Sequence, residues 1–174
     1  WHQMRENYLV KFLILGITFY GLQTLQGPMQ AIRTFSAFIH YTDWVPGHAH
    51  LVMLGVFAFW ILGMTTWLWP RMTGNDWHNR RLNGWHYWLT LVGLAIMFVD
   101  LTAAGLVHGF MLRSLSPWME IVRAMHGFWA VRVFAGGMIL TGQLIFLWNM
   151  WKTWRGTGKP YDYRVDLATV KGDA

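Results

Sequence analysis

Four stretches of helix length carry almost no charge, and nothing else in this 174-residue sequence narrows its fold as far. Phe12–Ile32 and Trp44–Pro70 contain no Asp, Glu, Lys or Arg, Leu82–Leu112 contains only Asp100, and Gly127–Trp151 contains only Arg132. A helix of about 20 residues crosses the hydrocarbon core of a bilayer, and none of the four runs shows the period-2 alternation of a barrel strand. The expected fold class is therefore all-α, a polytopic transmembrane helical bundle of four spans. With flanking residues the spans cover approximately 8–32, 44–70, 82–112 and 118–151. Residues 1–155 form this transmembrane portion, and 156–174, where Gly156, Gly158 and Pro160 mark a shift in composition, form a polar tail.

Composition agrees. Charged residues are 13% of the chain, against about a quarter in a soluble domain, and 55% are hydrophobic. The 13 Trp suit the two lipid–water interfaces and the 11 Met suit core filling. Without cysteine there is no disulfide, thioether-linked haem, iron–sulfur cluster or thiolate copper site, so any metal is held by nitrogen or oxygen. The net charge of +6 comes from scattered Lys and Arg rather than a basic face, which argues against nucleic acid. The chain starts at Trp1 in a polar, helix-like stretch without an initiator Met or signal peptide, and it is expected to belong to a longer polypeptide.

Basic residues orient the spans. The N-terminal lead, second loop and tail share one side and hold Arg5, Lys11, Arg71, Arg80, Arg81, Lys152, Arg155, Lys159, Arg164 and Lys171; the other side holds Arg33, Arg113 and Arg123. Both termini are expected in the cytoplasm. The first loop, ending at Asp43, then faces outward, to the periplasm in a Gram-negative bacterium.

The segment His40-Tyr41-Thr42-Asp43-Trp44-Val45-Pro46-Gly47-His48-Ala49-His50 opens the second span. Asp43 suits an N-cap and Pro46 a first helical turn, which puts His48 and His50 near the helix start. Two residues apart means about 200° of rotation and about 3 Å of rise. The two imidazoles therefore face opposite sides of the helix at nearly one depth. They cannot chelate one ion, but each can ligate its own, as axial imidazole ligands of two macrocycles flanking the helix would. The bland alternative is two hydrogen-bonded polar residues near an interface.

These residues carry a resemblance. Gly16-Ile17-Thr18-Phe19-Tyr20-Gly21, Gly27-Pro28-Met29, the histidine segment, Met125-His126 and Val131-Arg132 with Gly136-Gly137 resemble the C-terminal third of the catalytic subunit of cbb3-type cytochrome c oxidases, in the haem-copper oxidoreductase superfamily. The resemblance covers nearly all of residues 5–155 and implies one part of a larger twelve-helix-type fold. It implies that His48 is the proximal ligand of a high-spin haem and His50 an axial ligand of a low-spin haem, both b-type. It also implies that the remaining ligands, including those of copper, come from helices outside this chain. Two departures stand out: Gln26 replaces a Glu before Gly-Pro-Met, and Leu51-Val52-Met53-Leu54 follows the pair where the family has small polar residues. They keep nitric oxide reductase, with a non-haem iron in place of copper, as the nearest alternative.

Under that resemblance, His40 and Asp43 would contact haem propionates, with capping and loop stabilisation as the alternative, and His126 would lie near the same level. Arg132 within a span costs at least about 2.5 kcal/mol near the bilayer centre, so an anionic partner is expected, either a propionate or Asp100. Asp100 itself pairs with Arg132 or another chain, or is protonated. His108 is a weaker candidate, and His78 and His86 are expected to be solvated beside the second loop. Tyr20, Gln23, Thr24 and Gln26 form a polar patch that reads as interhelical hydrogen bonding or as a proton path. Gly136-Gly137 would permit close approach of a helix or macrocycle.

The implied function is the haem-binding part of a respiratory terminal oxidase, passing electrons from a cytochrome c-like donor to a haem–copper centre that reduces dioxygen. Implied partners are the rest of the catalytic subunit, c-type cytochrome subunits and the bilayer of a bacterial inner membrane. Competing classes are a non-catalytic dihaem electron carrier and a cofactor-free structural or transport bundle.

Overall fold

The structure is a computed structural model that describes residues 7–162. His2, Arg5, Arg164, Lys171 and residues 163–174 of the expected tail lie outside the described residues. Among the described residues five helices follow one another: α1 (Tyr8–Ala31), α2 (Arg33–Ile39), α3 (Trp44–Thr73), α4 (Arg80–Arg113) and α5 (Trp118–Trp154). All but α2 are long and apolar enough to cross a membrane, as the charge-free runs predict. Among the described residues no strand forms, and an isolated bridge joins Asn75 to Pro160.

Local chemistry sets the ends. The side chain of Asn7 accepts the Leu9 N–H at 3.0 Å and that of Asn79 accepts the Arg81 N–H at 2.9 Å, each satisfying a donor left free by a first turn. Gly74 ends α3 at φ 68°, a left-handed conformation open to glycine at little steric cost. Beyond α5, residues 157–161 fold back on the α3–α4 loop: Asp76 N–H donates to Lys159 O at 2.7 Å and Tyr161 N–H to Gly74 O at 2.9 Å. Loop and C-terminal segment thus occupy one end of the bundle.

The first connection differs from a plain loop. Seven of its residues form α2, and Tyr41 reverses the chain at φ 66° before α3 begins. A second feature has no counterpart in the hydrophobic pattern: after an α-helical start over Trp44–His50, α3 winds as a π-helix over Leu51–Ala58 and returns to α at Phe59–Thr73. Such segments are rare and concentrate at functional sites.

In lipid, helices associate mainly through close packing. Phe12 and Phe19 of α1 each meet Phe59 of α3 edge-on at 5.4 Å, and with Leu51, Val56, Tyr87 and Leu94 they form the α1–α3–α4 core. Met97 and Leu101 pack on Ala135, and Ala104 on Ile121 and Met125, along the α4–α5 hairpin. The head of α3 lies so close to α4 that a Cβ on Gly105 would fall within the Trp44 backbone.

Candidate functional site

The head of α3 gathers most of the residues singled out in the sequence. Asp43 occupies its N-cap position, yet the expected side-chain cap is absent. Its carboxylate instead accepts from Arg132 of α5, Nη1 to Oδ1 at 3.3 Å and Nη2 to Oδ2 at 3.1 Å, while the Trp44 N–H points to Thr42 Oγ1 at 3.4 Å. The physical reason is charge: a two-pronged guanidinium outcompetes a neutral amide for the carboxylate. Arg132 also donates through Nε to Asp100 Oδ2 at 3.3 Å, so within this chain Asp100 pairs with Arg132. One guanidinium thus ties α3, α4 and α5 together. It lies level with the start of α3, about 20 Å along α5 from its first residue.

His48 and His50 sit in the α-helical start of α3, where the spacing argument applies. His48 turns toward α1, and its Nδ1 lies 3.3 Å from Gln26 Oε1. His50 Nδ1 lies 2.7 Å from the Pro46 carbonyl one turn back. Both acceptors are oxygens, so each ring places its hydrogen on Nδ1 and keeps the lone pair on Nε2. A histidine that binds a metal through Nε2 is held in the same way, the other nitrogen donating to an oxygen. Gln26 is the one member of the α1 polar patch that reaches the site. Thr24 donates to the Tyr20 carbonyl within its own helix, and Tyr20 is exposed against Trp60.

His40, Asp43 and His108 line one open cavity of about 400 Å³ with Tyr41, Val45 and Pro46. His126 stands apart, exposed, with its ring 6.0 Å from Trp129. A Cβ on Gly137 would meet nothing within 4 Å and one on Gly136 only Met97 of α4 at 3.7 Å, so among the described residues no close helix approach requires glycine at either position.

Whether haem fits can be asked of the donor set. Among the described residues no three of His, Cys, Asp or Glu converge as a metal cage, so metal ligation here would rest on single imidazoles. Around the head of α3, buried Gln30 Nε2, Trp44 Nε1, Thr102 Oγ1 and His108 Nδ1 lack a hydrogen-bond partner. Buried polar atoms are nearly always satisfied. A macrocycle with axial iron and carboxylate arms would answer both the free Nε2 lone pairs and these orphaned groups, so the residues present fit the group.

His86 was missed. The sequence reading places it in solvent, but it is 0% exposed, stacked on Phe146 at 4.3 Å between α4 and α5. Its spacing with Asn83, Thr90 and Gly93, all buried on one face of α4, is a signal that periodicity could have supplied. His78 is exposed, as expected.

Four membrane-length helices, one of which carries two imidazoles in its first turns beside an ion-paired cluster, define an integral membrane protein. Residues 1–139 match the family described as cytochrome c and quinol oxidase polypeptide I, and the chain belongs to that family. It is 32% identical over 171 residues to the cbb3-type cytochrome c oxidase subunit CcoN1 of Stutzerimonas stutzeri, covering 94% of this chain and 36% of that protein. It is 31% identical over 166 residues to a bacteroid cytochrome c oxidase subunit 1 homolog of Bradyrhizobium diazoefficiens, covering 89% and 30%. More distant is a nitric oxide reductase subunit of Stutzerimonas stutzeri, 24% identical over 132 residues, covering 71% and 28%. The chain therefore spans about a third of the length of the curated relatives it matches.

Proposed function

We propose that this chain is the C-terminal, haem-holding portion of the catalytic subunit of a terminal oxidase in a bacterial inner membrane, with both termini cytoplasmic. The rest of that subunit and c-type cytochrome subunits are its partners. The observation that carries this reading is the pair His48 and His50, each with Nδ1 on an oxygen acceptor and Nε2 free. When bound, a high-spin haem b beside copper and a low-spin haem b would supply dioxygen reduction to water and electron transfer from a cytochrome c-like donor, coupled to proton translocation.

The chain's own residues do the holding. His48 and His50 present Nε2 on opposite sides of one rigid turn, which fixes the relative depth of their two ligands. Gln26 and the Pro46 carbonyl lock the tautomers and make the ring nitrogens better donors to a metal. Arg132 anchors that turn through Asp43, and because its single charge faces two carboxylates, the cluster has no surplus cation for a further anion. His40, with His108, is placed in the adjoining cavity to hydrogen-bond a carboxylate arm. His126 is assigned to the periphery of the same level.

Nitric oxide reduction by a haem and non-haem iron is the second reading, favoured by one observation. Buried Gln26, facing His48, is a neutral amide that cannot take up or release a proton as a carboxylate would. Metal analysis of the purified complex separates the two, copper supporting the oxidase and iron alone the reductase. Carbon monoxide difference spectra are expected to reveal one high-spin haem. Two six-coordinate haems that bind no carbon monoxide would establish a dihaem carrier instead, and the lack of any Soret band would leave a cofactor-free bundle.

A further inference from the structure

The α4–α5 interface contains a row of polar groups that the proposed chemistry does not use. At the end bearing the α3–α4 loop, exposed His78 meets Thr157 Oγ1 through Nδ1 at 2.8 Å and donates its backbone N–H to Thr153 Oγ1 at 3.1 Å. Deeper, buried Asn149 donates to Asn83 Oδ1 at 2.8 Å and to the Asn79 carbonyl at 3.0 Å. One turn further along α4 comes His86, with Nδ1 3.1 Å from the Gly142 carbonyl and 3.5 Å from Thr90 Oγ1. Gln143 donates to Thr90 Oγ1 at 3.1 Å, and both line a cavity of about 300 Å³ whose other wall includes Leu54 and Ala58 of the π-helical segment. From Asn83 to Thr90 the buried part of the row covers about 10 Å along α4, roughly a third of an apolar core about 30 Å thick.

Helix-to-helix adhesion accounts for the asparagines, whose hydrogen bonds close on each other. It does not account for His86, which is 0% exposed, lies between the rings of Phe12 and Phe146, and leaves Nε2 buried without a partner. An ionisable side chain at this depth is costly to keep without a use, and a buried polar atom of this kind is commonly met by an internal water.

We infer that His86 binds an internal water at Nε2 and is a proton-holding station on a route from the α3–α4 loop end of the bundle to the cavity beside the π-helical segment. The inference goes beyond the haem reading but rests on it for the use made of the protons. A proton arriving on that water passes to the Nε2 lone pair, giving the imidazolium while Nδ1–H stays on the Gly142 carbonyl. It leaves from Nε2 to water, restoring the neutral ring. No electron moves, and only N–H and O–H bonds change.

Deuterium exchange at the imidazole C2 carbon, followed by mass spectrometry on the intact complex, tests the site without reference to activity. That exchange requires both water and protonation of the ring. His86 is expected to exchange at a rate of the same order as exposed His78, and an unexchanged His86 beside an exchanged His78 would overturn the inference. As a second arm, Thr90→Val with Gln143→Leu is expected to slow proton uptake from the loop side in vesicles while leaving the haem spectrum intact, and unaltered uptake would count against the route. A preparation without a Soret band would defeat the haem reading, yet the exchange measurement would still decide the His86 site.

Discussion

Arg132 holds both carboxylate oxygens of Asp43, at 3.3 and 3.1 Å, from a position 89 residues later in the chain. With its third bond, to Asp100 at 3.3 Å, this is the one place where α3, α4 and α5 are joined by charge among the described residues. The Asp100 side chain is 3% exposed, so the cluster is shielded from bulk water more on its α4 side than on its α3 side.

Removing the cation should therefore cost more than removing the outer anion. Arg132→Gln leaves Asp100 buried and unpaired, a class of change that costs about 3–5 kcal/mol. Asp43→Asn leaves Arg132 on Asp100 and is expected to cost about 1–2 kcal/mol, as for loss of one charged hydrogen-bond partner. The double variant should be less destabilised than the sum, by about 1–3 kcal/mol of coupling. Thermal unfolding of the detergent-solubilised complex measures all three, and simple additivity would show that the contact carries no energy.

The two imidazoles should be separable by spectroscopy. His50→Ala is expected to abolish the low-spin haem signal while the chain still inserts, since four apolar spans do not depend on one ligand. His48→Ala should instead abolish carbon monoxide binding and spare the low-spin signal. Gln26→Leu should retain haem but weaken its hold on the His48 side, about 10–100-fold where an outer partner of a metal-bound histidine is lost. A normal low-spin spectrum in His50→Ala would refute the assignment of that ring.

The number and extent of the apolar helices were legible because lipid demands an uncharged run of fixed length, and the sequence has four of them. The place of His48 and His50 in the first turns of α3 was legible because Pro46 marks a helix start. Three features were hidden, each for its own reason. The π-helical winding of Leu51–Ala58 left no trace because a run of uniformly apolar residues records no period. The Asp43–Arg132 pair is a contact between distant segments, so local cap chemistry pointed Asp43 to the wrong partner. His86 was read by its nearness to a charged loop, whereas its position on the small and polar stripe of α4 decides that it faces α5.

Close approach of α3 to α4 makes a steric prediction. A Cβ on Gly105 would enter the Trp44 backbone, and one on neighbouring Gly47 would lie 3.1 Å from Leu101 Cβ. Gly105→Val must push the head of α3 outward, at a cost of about 1–3 kcal/mol or more for overpacking. Because the same turn carries both histidines, loss of thermal stability should come with perturbed spectra of both haems. An unchanged melting profile and spectrum would mean that the two helices do not approach so closely.

Buried amide chemistry at the other end of the hairpin supports a last prediction. Asn149 is 0% exposed; it accepts the Asn79 N–H at 3.1 Å and donates to Asn79 O and Asn83 Oδ1 at 3.0 and 2.8 Å. Asn149→Leu is nearly isosteric, so little of its effect would come from volume. It would, however, leave the buried Asn83 amide without its partner, at about 1–3 kcal/mol for a group left unsatisfied, while the N–H of exposed Asn79 can turn to water. Adding Asn83→Leu replaces both side-chain partners with apolar groups and should recover part of the loss, because an apolar pair owes no hydrogen bond. Thermal unfolding of the single and double variants checks this. A double variant less stable than Asn149→Leu alone would show that the amides are held by other contacts and that their mutual bond is incidental.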